Sequence, residues 1–313
     1  MRVIFFGTPE CAVPYLEAVT AAGGELVTVI TQPDRPAGRG RQLCAPPVKT
    51  AAEGRSLRVV QPASCADPQL LEQLRALVSD ILLVVAFGEI LCPELLSLPR
   101  VAALNVHYSL LPAWRGAAPV QHALLAGLAE TGVTLQHLAP ELDAGDIVAQ
   151  AALTIDPEED AAALTARLTG LGCRLVEANL PLLMAGQAAR RPQDDSRVTW
   201  APRLSKADGR VDWSERAANI VNRVRAMTPW PGAYCQVRGQ RLYLRRVRVV
   251  EASGEGGRPG EIVEMVKDRS PIVATGSGTV ELLAVQPQGK KVMSGAEYLR
   301  GARLPVGETF EAG

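Results

Sequence analysis

The apolar runs DILLVVAFG (Asp80–Gly88) and VAALNVH (Val101–His107) decide the fold class of this chain of 313 residues. Both runs are short and rich in Val, Leu, Ile and Ala, which is typical of strands that are buried on both faces of a sheet. Similar runs come earlier, and helical patterns separate them. The earlier runs are RVIFFG (Arg2–Gly7), ELVTVIT (Glu25–Thr31) and LRVVQ (Leu57–Gln61), and the helical patterns cover 11–22 and 68–78. Repeated strand–helix units predict an α/β fold with a doubly wound parallel sheet and right-handed crossovers.

The second half of the sequence has a different texture. Segments 132–138 and 146–153 extend the first strand pattern, and the Leu/Ala-rich segment 161–186 predicts a long closing helix. A further helical pattern at 215–227 precedes five short β-like segments that Gly-rich turns separate. These segments are 233–237, 241–250, 260–266, 272–275 and 279–285. Such a series of short strands predicts a small barrel of the OB type, a fold often used on nucleic acid.

These patterns divide the chain into three predicted parts. Residues 1–189 form a Rossmann-like domain, residues 190–206 a linker without apolar periodicity, and residues 207–313 an OB-like barrel domain. The usual nucleotide motif is absent, because Gly7-Thr8-Pro9 follows the first strand where G-x-G-x-x-G would stand. Proline in place of the later glycines prevents close approach to a pyrophosphate, so we do not expect dinucleotide binding.

Composition excludes some classes of protein and leaves one question open. No apolar run approaches the roughly 20 residues that span a bilayer, and the chain begins with a strand rather than a charged leader, so we expect a cytoplasmic protein. The six cysteines occur singly, and we expect reduced thiols and no metal site. Residues 1–189 carry 12 Lys and Arg against 19 Asp and Glu, whereas residues 190–313 carry 21 against 14. The basic half either faces a polyanion or is simply a solvated surface.

Candidate catalytic residues lie at the carboxyl end of the run Val101–His107. Asn105 and His107 are two residues apart on a predicted strand and therefore face the same side, at the end where α/β sheets bind ligands. Asp143 stands in LDAGD (142–146), a run that taken alone is more often a turn. Together the amide, the imidazole and the carboxylate suit acyl transfer to an amine. The amide steadies an oxyanion, the imidazole moves protons, and the carboxylate orients the imidazole and favours its charged form.

A second candidate site is the Pro/Gly-rich loop QPDRPAGRGRQ (32–42). It carries Arg35, Arg39 and Arg41, with Lys49 at its far side. Flexible arginines on such a loop suit contact with phosphates, and a mobile solvated loop is the alternative.

At this point the sequence resembles a known family. The motifs are NVHYSLLPAWRGAAPVQHAL (105–124), LDAGD, TQPDRPAGRGRQL (31–43), RLSKADGRVDWS (203–214), TPWPGAY (228–234) and QPQGKKVMSG (286–295). They resemble the methionyl-tRNA formyltransferase family from residue 3 to about residue 303. The first two motifs are common to enzymes that transfer a formyl group from 10-formyltetrahydrofolate, whereas the arginine loop and the C-terminal motifs narrow the resemblance to the tRNA enzymes.

The resemblance implies transfer of the formyl group of 10-formyltetrahydrofolate to the amino group of methionyl initiator tRNA, by a monomer that needs neither metal nor membrane. It implies catalytic roles for Asn105, His107 and Asp143. It implies folate contacts at Ser109, Leu110, Leu111 and Pro112, and a pterin pocket near Phe87, Ile90 and Leu91. It implies tRNA contacts at Arg35, Arg39, Arg41, Lys49 and Lys206. The chain departs from the family pattern at Tyr108, His122 and the pair Gln136-His137.

Three alternatives stay open. A formyltransferase that acts on a small substrate, such as glycinamide ribonucleotide or an amino-sugar nucleotide, has the same catalytic core, but the first of these normally ends near residue 189 and carries a glycine-rich phosphate loop. A folate hydrolase has the same core but does not explain the basic second half. A catalytically silent tRNA-binding protein does not explain an intact set of Asn105, His107 and Asp143.

Overall fold

The computed structural model describes residues 1–37, 42–250, 257–264 and 270–313. They form two compact units, the first from 1–116, 130–154 and 165–200, the second from 117–129, 155–164 and 201–313. The strands are β1 (Arg2–Gly7), β2 (Glu25–Ile30), β3 (Arg35–Ala37), β4 (Gln42–Cys44), β5 (Val59–Val60), β6 (Ile81–Val85), β7 (Ala102–His107), β8 (Arg115–Gly116), β9 (Glu130–His137), β10 (Ile147–Thr154), β11 (Trp200–Ala201), β12 (Ala233–Val237), β13 (Gln240–Val250), β14 (Ile262–Glu264), β15 (Ile272–Ala274), β16 (Thr279–Pro287), β17 (Met293–Ser294) and β18 (Glu311–Ala312). The α-helices are α1 (Pro14–Ala21), α2 (Pro47–Glu53), α3 (Pro68–Ala76), α4 (Pro93–Leu96), α5 (Pro119–Leu125), α6 (Ala161–Met184), α7 (Ala217–Met227) and α8 (Gly295–Ala302). Within the described ranges, no helix is both long and apolar enough to cross a membrane.

The first unit is built on a seven-stranded sheet in the order β10-β9-β7-β6-β1-β2-β5. Strands β5, β2, β1, β6 and β7 are mutually parallel, as the buried apolar runs predict. Segments 132–138 and 146–153 do extend the sheet, but β9 runs antiparallel to both β7 and β10. The short connection between β9 and β10 explains their relative direction, since a parallel pair needs a longer crossover.

Helices cover both faces of this sheet, so the prediction of a doubly wound α/β fold is confirmed. On one face Leu70 and Leu74 of α3 pack with the buried side chains of Ile4, Phe6 and other sheet residues. On the opposite face the hydroxyl of Tyr108, at the end of β7, bonds to Tyr15 of α1 at 3.3 Å and to Thr169 of α6 at 2.8 Å. Burial raises the pKa of Tyr108 well above its usual range. Tyr108 therefore belongs to the packing behind the sheet.

The strand order reverses between β1 and β6, which defines the edge of the sheet where a ligand crevice is expected. β1 ends at Gly7 and β6 ends at Val85, and the loops that follow are joined by a 2.8 Å bond from the Thr8 hydroxyl to the Phe87 carbonyl oxygen. β7 ends beside them at His107. The end of β7, which carries Asn105 and His107, therefore lies at the crevice edge of the sheet.

The second unit contains an antiparallel sheet in the order β14-β15-β16-β13-β12-β18, with β17 paired to β16. An isolated bridge between Glu261 and Thr309 joins the two outer ends, so the sheet curls into a small barrel. The buried rings of Trp213 and Phe310, 5.9 Å apart, lie in its core. The prediction of a small OB-like barrel is confirmed, while β17, β18 and α8 add elements that the strand pattern did not predict.

Candidate active site

The Asp143 carboxylate is the centre of the polar cluster at the end of β7. Its Oδ1 accepts from the side-chain amides of Gln136 at 3.1 Å and Asn105 at 3.4 Å. Its Oδ2 accepts from the backbone N–H of Gly116 at 2.9 Å and lies 3.6 Å from Nδ1 of His107. The side chains of His107 and Asp143 are only 6% and 10% exposed. The three residues singled out from the sequence therefore meet in one shielded cluster of donors around a carboxylate.

The imidazole of His107 faces the Asp143 carboxylate on one side and a backbone carbonyl on the other. Its Nε2 lies 2.9 Å from the carbonyl oxygen of Trp114. A carbonyl oxygen only accepts, so Nε2 is the donor of this bond. Nδ1 is therefore the ring nitrogen that faces Asp143.

Local backbone geometry places Asp143 in this position. The residue has a φ of 51°, in the left-handed region that Asp adopts more readily than most residues. At Gly145 an added Cβ would collide with the carbonyl oxygen of His137, so only glycine fits there. The Asp-Ala-Gly run is thus both a tight turn, as its composition predicts, and the carrier of the carboxylate.

Gln193 is a part of the site that the sequence did not indicate. Its Nε2 donates to the backbone carbonyl oxygens of Asp143 at 2.7 Å and Gly145 at 2.8 Å, and lies 3.2 Å from Oε1 of Gln136. Its Oε1 accepts from Nε and Nη2 of the buried Arg115 at 3.1 and 2.8 Å. A residue from the predicted linker therefore fixes the backbone of the turn that carries Asp143.

The predicted folate-contacting run Ser109–Pro112 is fixed against the neighbouring strands. The hydroxyl of Ser109 donates to the Ala113 carbonyl oxygen at 2.6 Å, and the Ser109 carbonyl accepts from the Thr134 hydroxyl at 2.7 Å. Gln150 donates to the carbonyl of Leu111 at 2.9 Å. Ser109 and Leu111 are buried, whereas Leu110 and Pro112 are partly exposed. The run is thus a rigid wall whose accessible surface comes mainly from Leu110 and Pro112.

The three residues predicted near the pterin pocket lie in different environments. Phe87 is buried and packs edge-on against Phe6, with ring centroids 5.2 Å apart. Leu91 is buried in the same core cluster. The side chain of Ile90 is 78% exposed, between these two core residues in sequence. Ile90 is therefore the member of this group that solvent or a ligand can reach.

The predicted tRNA-binding residues also differ in availability. Arg35 is exposed and donates to Oε1 of Gln32 at 2.8 Å, and Lys206 is exposed in the second unit. Lys49 is paired with Asp34 at 2.9 Å, and bonds from Gln61 and Lys49 lower the pKa of Asp34. Arg39 and Arg41 lie outside the described residues. The loop is not wholly irregular, because β3 and β4, on either side of 38–41, pair as a short antiparallel ladder. The sequence does not predict this ladder, because these strands lack an apolar pattern.

A groove open to solvent adjoins the carboxylate turn. Its volume is about 720 Å³, and it is lined by Arg115, Glu141, Ala144, Asp195, Val198 and Trp200. Across the described parts of the chain, no three or more His, Cys, Asp or Glu side chains group in a way that could hold a metal ion.

Comparisons with known proteins identify relatives of the whole chain. The model of the formyl transferase family matches residues 1–178, and that of the formyl transferase C-terminal domain matches residues 203–303. A methionyl-tRNA formyltransferase from Moorella thermoacetica is 44% identical over 98% of both chains, and one from Halorhodospira halophila is 45% identical over 99% of both. The structure of an N-formyltransferase from Helicobacter canadensis, in complex with folinic acid and dTDP-3-aminofucose, has a TM-score of 0.65 at 16% identity and covers 91% of this chain and 98% of its own. That likeness concerns the fold.

Proposed function

The chain belongs to the methionyl-tRNA formyltransferases, and from that premise we propose how it transfers the formyl group of 10-formyltetrahydrofolate to the free amino group of methionyl initiator tRNA. The observation that supports the proposal is the cluster of Asn105, His107 and Asp143 at the carboxyl end of β7. The cluster supplies N–H donors, a titratable nitrogen and a fixed negative charge within one shielded site. These are the groups that transfer of an acyl group to an amine requires.

In the first step the substrate amine adds to the formyl carbon, and the formyl oxygen gains negative charge. Asn105 uses one amide hydrogen toward Asp143 and has a second one for that oxygen. The protonated His107 adds its positive charge from the same side. Both groups are held before the substrate arrives, so their dipoles need little reorganisation, which is how such donors lower a barrier.

In the second step the bond between the formyl carbon and the folate nitrogen breaks. As it breaks, the protonated His107 donates its Nδ1 proton to the folate nitrogen, and the neutral Nδ1 then accepts the proton that the attacking amine nitrogen releases. Nδ1 of His107 suits this task, because the Trp114 carbonyl keeps Nε2 protonated throughout. Asp143 lies beside the nitrogen that changes charge and stabilises it when protonated.

For the folate co-substrate, we assign the wall Ser109–Pro112 and the region of Phe87, Ile90 and Leu91. Leu110, Pro112 and Ile90 are the accessible apolar side chains among them, and an apolar ring system packs on such surfaces. Phe87 and Leu91 are buried in the core cluster, so Ile90 is the residue of that region that can contact the folate. The structural relative from Helicobacter canadensis carries folinic acid, a folate derivative, which agrees with a folate co-substrate.

For the tRNA partner, we assign Arg35, Arg39, Arg41, Lys49 and Lys206 to contacts with the RNA backbone. Arg35 and Lys206 are exposed and therefore available to a phosphate, whereas Lys49 must exchange its bond with Asp34 for one. The charge difference between the two halves of the sequence agrees with an RNA-facing second half. Initiator tRNA also implies a cytoplasmic site of action, and we propose a monomer, which light scattering on the purified protein tests.

The function is tested by offering the purified protein 10-formyltetrahydrofolate with one of three acceptors. These are methionyl initiator tRNA, a dTDP-linked amino sugar, and water alone. We expect formylmethionine to be recovered from the tRNA after mild alkaline hydrolysis, with tetrahydrofolate formed in equal amount. Formate release without an acceptor would identify a hydrolase, transfer only to the amino sugar would identify a small-substrate enzyme, and tRNA binding without turnover would identify a binding protein.

A further inference from the structure

The groove beside the carboxylate turn, in the first unit, has no role in the steps above. Two of its lining residues are chain neighbours of residues in the catalytic cluster. Ala144, which lines the groove, directly follows Asp143 in the chain. Arg115, which also lines it, directly precedes Gly116, whose N–H donates to Asp143 at 2.9 Å. A molecule in the groove therefore lies beside the turn that carries Asp143.

The feature of the groove that points to a ligand is Trp200, whose large apolar side chain is 58% exposed. Its backbone is held in place through the preceding residue. The Thr199 carbonyl oxygen accepts from the N–H of Arg115 at 2.9 Å, and the Thr199 hydroxyl accepts from the N–H of Trp114 at 2.8 Å. Trp114 is also the residue whose carbonyl orients His107. The residue before the exposed indole is thus hydrogen-bonded to Trp114, and Trp114 is bonded to the imidazole of His107.

The charges of the groove decide which part of a nucleic-acid substrate it accepts. The guanidinium of Arg115 is already paired with Asp195 at 2.8 Å and with the side chain of Gln193. Glu141 adds an exposed carboxylate. A lining with two carboxylates and one paired arginine repels phosphate groups, whereas it tolerates an uncharged base and favours a cationic amino group.

We propose that this groove holds the 3′-terminal nucleoside of the aminoacyl-tRNA, with its adenine stacked on the indole of Trp200 and its aminoacyl ester directed toward Asp143. The assignment rests on the proposed function, since it names the part of that substrate that binds here. Stacking on an exposed aromatic ring is a usual way to hold an unpaired base, because each base offers a flat π face. The tRNA body then contacts other surfaces, and Trp200 acts as a specificity-determining residue for the acceptor end.

The test combines a change in the protein with a change in the substrate. The variants are Trp200→Ala, Trp200→Phe and, as a matched control, Trp230→Ala, which removes a tryptophan that is 54% exposed in the second unit. Each is assayed with methionyl-tRNA and with methionyl-tRNA whose terminal ribose lacks its base. We expect Trp200→Ala to lower kcat/KM for the intact substrate by about 5- to 100-fold, and Trp200→Phe to retain most of it. The KM for the folate donor stays at the parental value.

The base-deleted substrate separates stacking from a general loss of structure. The parent and Trp230→Ala lose activity with it by a similar factor, whereas Trp200→Ala shows little further loss, because the interacting pair is already broken. An unchanged kcat/KM in Trp200→Ala would overturn the inference while leaving the function intact. The same holds if removing the base lowers the kcat/KM of Trp200→Ala by the same factor as that of the parent. A parent that does not formylate methionyl-tRNA at all would instead overturn the proposed function and the inference with it. Thermal unfolding of each variant confirms that it is folded.

Discussion

Gln193 donates its side-chain N–H to the backbone carbonyl oxygen of Asp143 at 2.7 Å, although fifty residues separate them in sequence. The same amide nitrogen bonds to the carbonyl of Gly145, and its oxygen accepts two bonds from the buried Arg115. The turn that presents the Asp143 carboxylate is therefore fixed by a residue that is distant in sequence. We propose that Gln193 is a positioning residue, which acts through the backbone of Asp143 rather than on a substrate.

The first prediction concerns Gln193→Ala. Loss of these bonds releases the turn, and a small displacement of a catalytic group lowers the rate strongly. We expect kcat for formyl transfer to fall about 10- to 100-fold, with KM for both substrates little changed. Steady-state kinetics with methionyl-tRNA and 10-formyltetrahydrofolate measure this.

The matched controls for this prediction are Gln193→Glu and Asp194→Ala. The glutamate still accepts from Arg115 but has no N–H for the two carbonyls, so it should be at least as impaired as the alanine variant. Asp194 is exposed and, among the described bonds, caps only Ser196, so its removal should leave kcat unchanged. A fully active Gln193→Glu variant would show that the bonds to the turn do not matter.

The second prediction concerns Asp143→Asn, an isosteric change that removes the negative charge. The carboxylate accepts from Gly116, Gln136 and Asn105, all of which are donors. A side-chain amide accepts on one side only, so its NH₂ group faces another donor. We expect the free energy of unfolding to fall by about 1–3 kcal/mol and kcat to fall about 10²-fold or more. Denaturant unfolding and kinetics measure the two effects, and a variant with parental stability would contradict this account of the donor set.

The third prediction concerns the pH dependence of stability. Burial lowers the pKa of His137, the nearby Arg190 lowers it further, and Asp146 opposes both. The unfolded chain therefore binds a proton at this residue more readily than the folded protein does. This contribution to stability is present above the ordinary histidine pKa of about 6.5 and is lost as the pH falls through the lower folded value. As the pH falls from about 7 to about 5, the free energy of unfolding of the parent should decrease more steeply than that of His137→Gln. Parallel pH curves for the two proteins would contradict it.

The fourth prediction concerns the basic loop. Arg35 is exposed, so Arg35→Ala should raise the KM for methionyl-tRNA and reduce the slope of log affinity against log salt by about one, while the KM for folate stays constant. We expect the same of Arg39→Ala and Arg41→Ala from their place in the sequence. Lys49→Ala should have a smaller effect, because its ammonium group is paired with Asp34. tRNA titrations at two salt concentrations decide it, and unchanged binding in all three arginine variants would leave the loop without an RNA contact.

Much of the first unit follows from local sequence. The parallel strands are continuous apolar runs, and the two-residue period of a strand puts Asn105 and His107 on one side of β7. The direction of β9 does not follow, because a strand has the same pattern in either direction. The start of α8 also has a local signal, a capping box in which Ser294 and Glu297 bond to each other's backbone.

The rest of the site has no local signal. Gln136 and Gln193 are ordinary polar residues in sequence, and only the fold brings them to Asp143. The group that orients His107 is the backbone carbonyl of Trp114, which any residue would supply. Sequence therefore identifies the residues whose chemistry is distinctive, whereas long-range hydrogen bonds identify the residues that hold them.

The most direct test of the central claim is single-turnover formylation of methionyl initiator tRNA by the parent and by Asn105→Ala. With both substrates saturating, the rate constant reports the chemical step, in which we propose that Asn105 donates to the formyl oxygen. We predict that the parent forms formylmethionyl-tRNA and that Asn105→Ala, folded and binding both substrates normally, does so about 10²- to 10³-fold more slowly, as expected for the loss of one oxyanion donor. A folded Asn105→Ala variant with a rate constant near that of the parent would contradict the account.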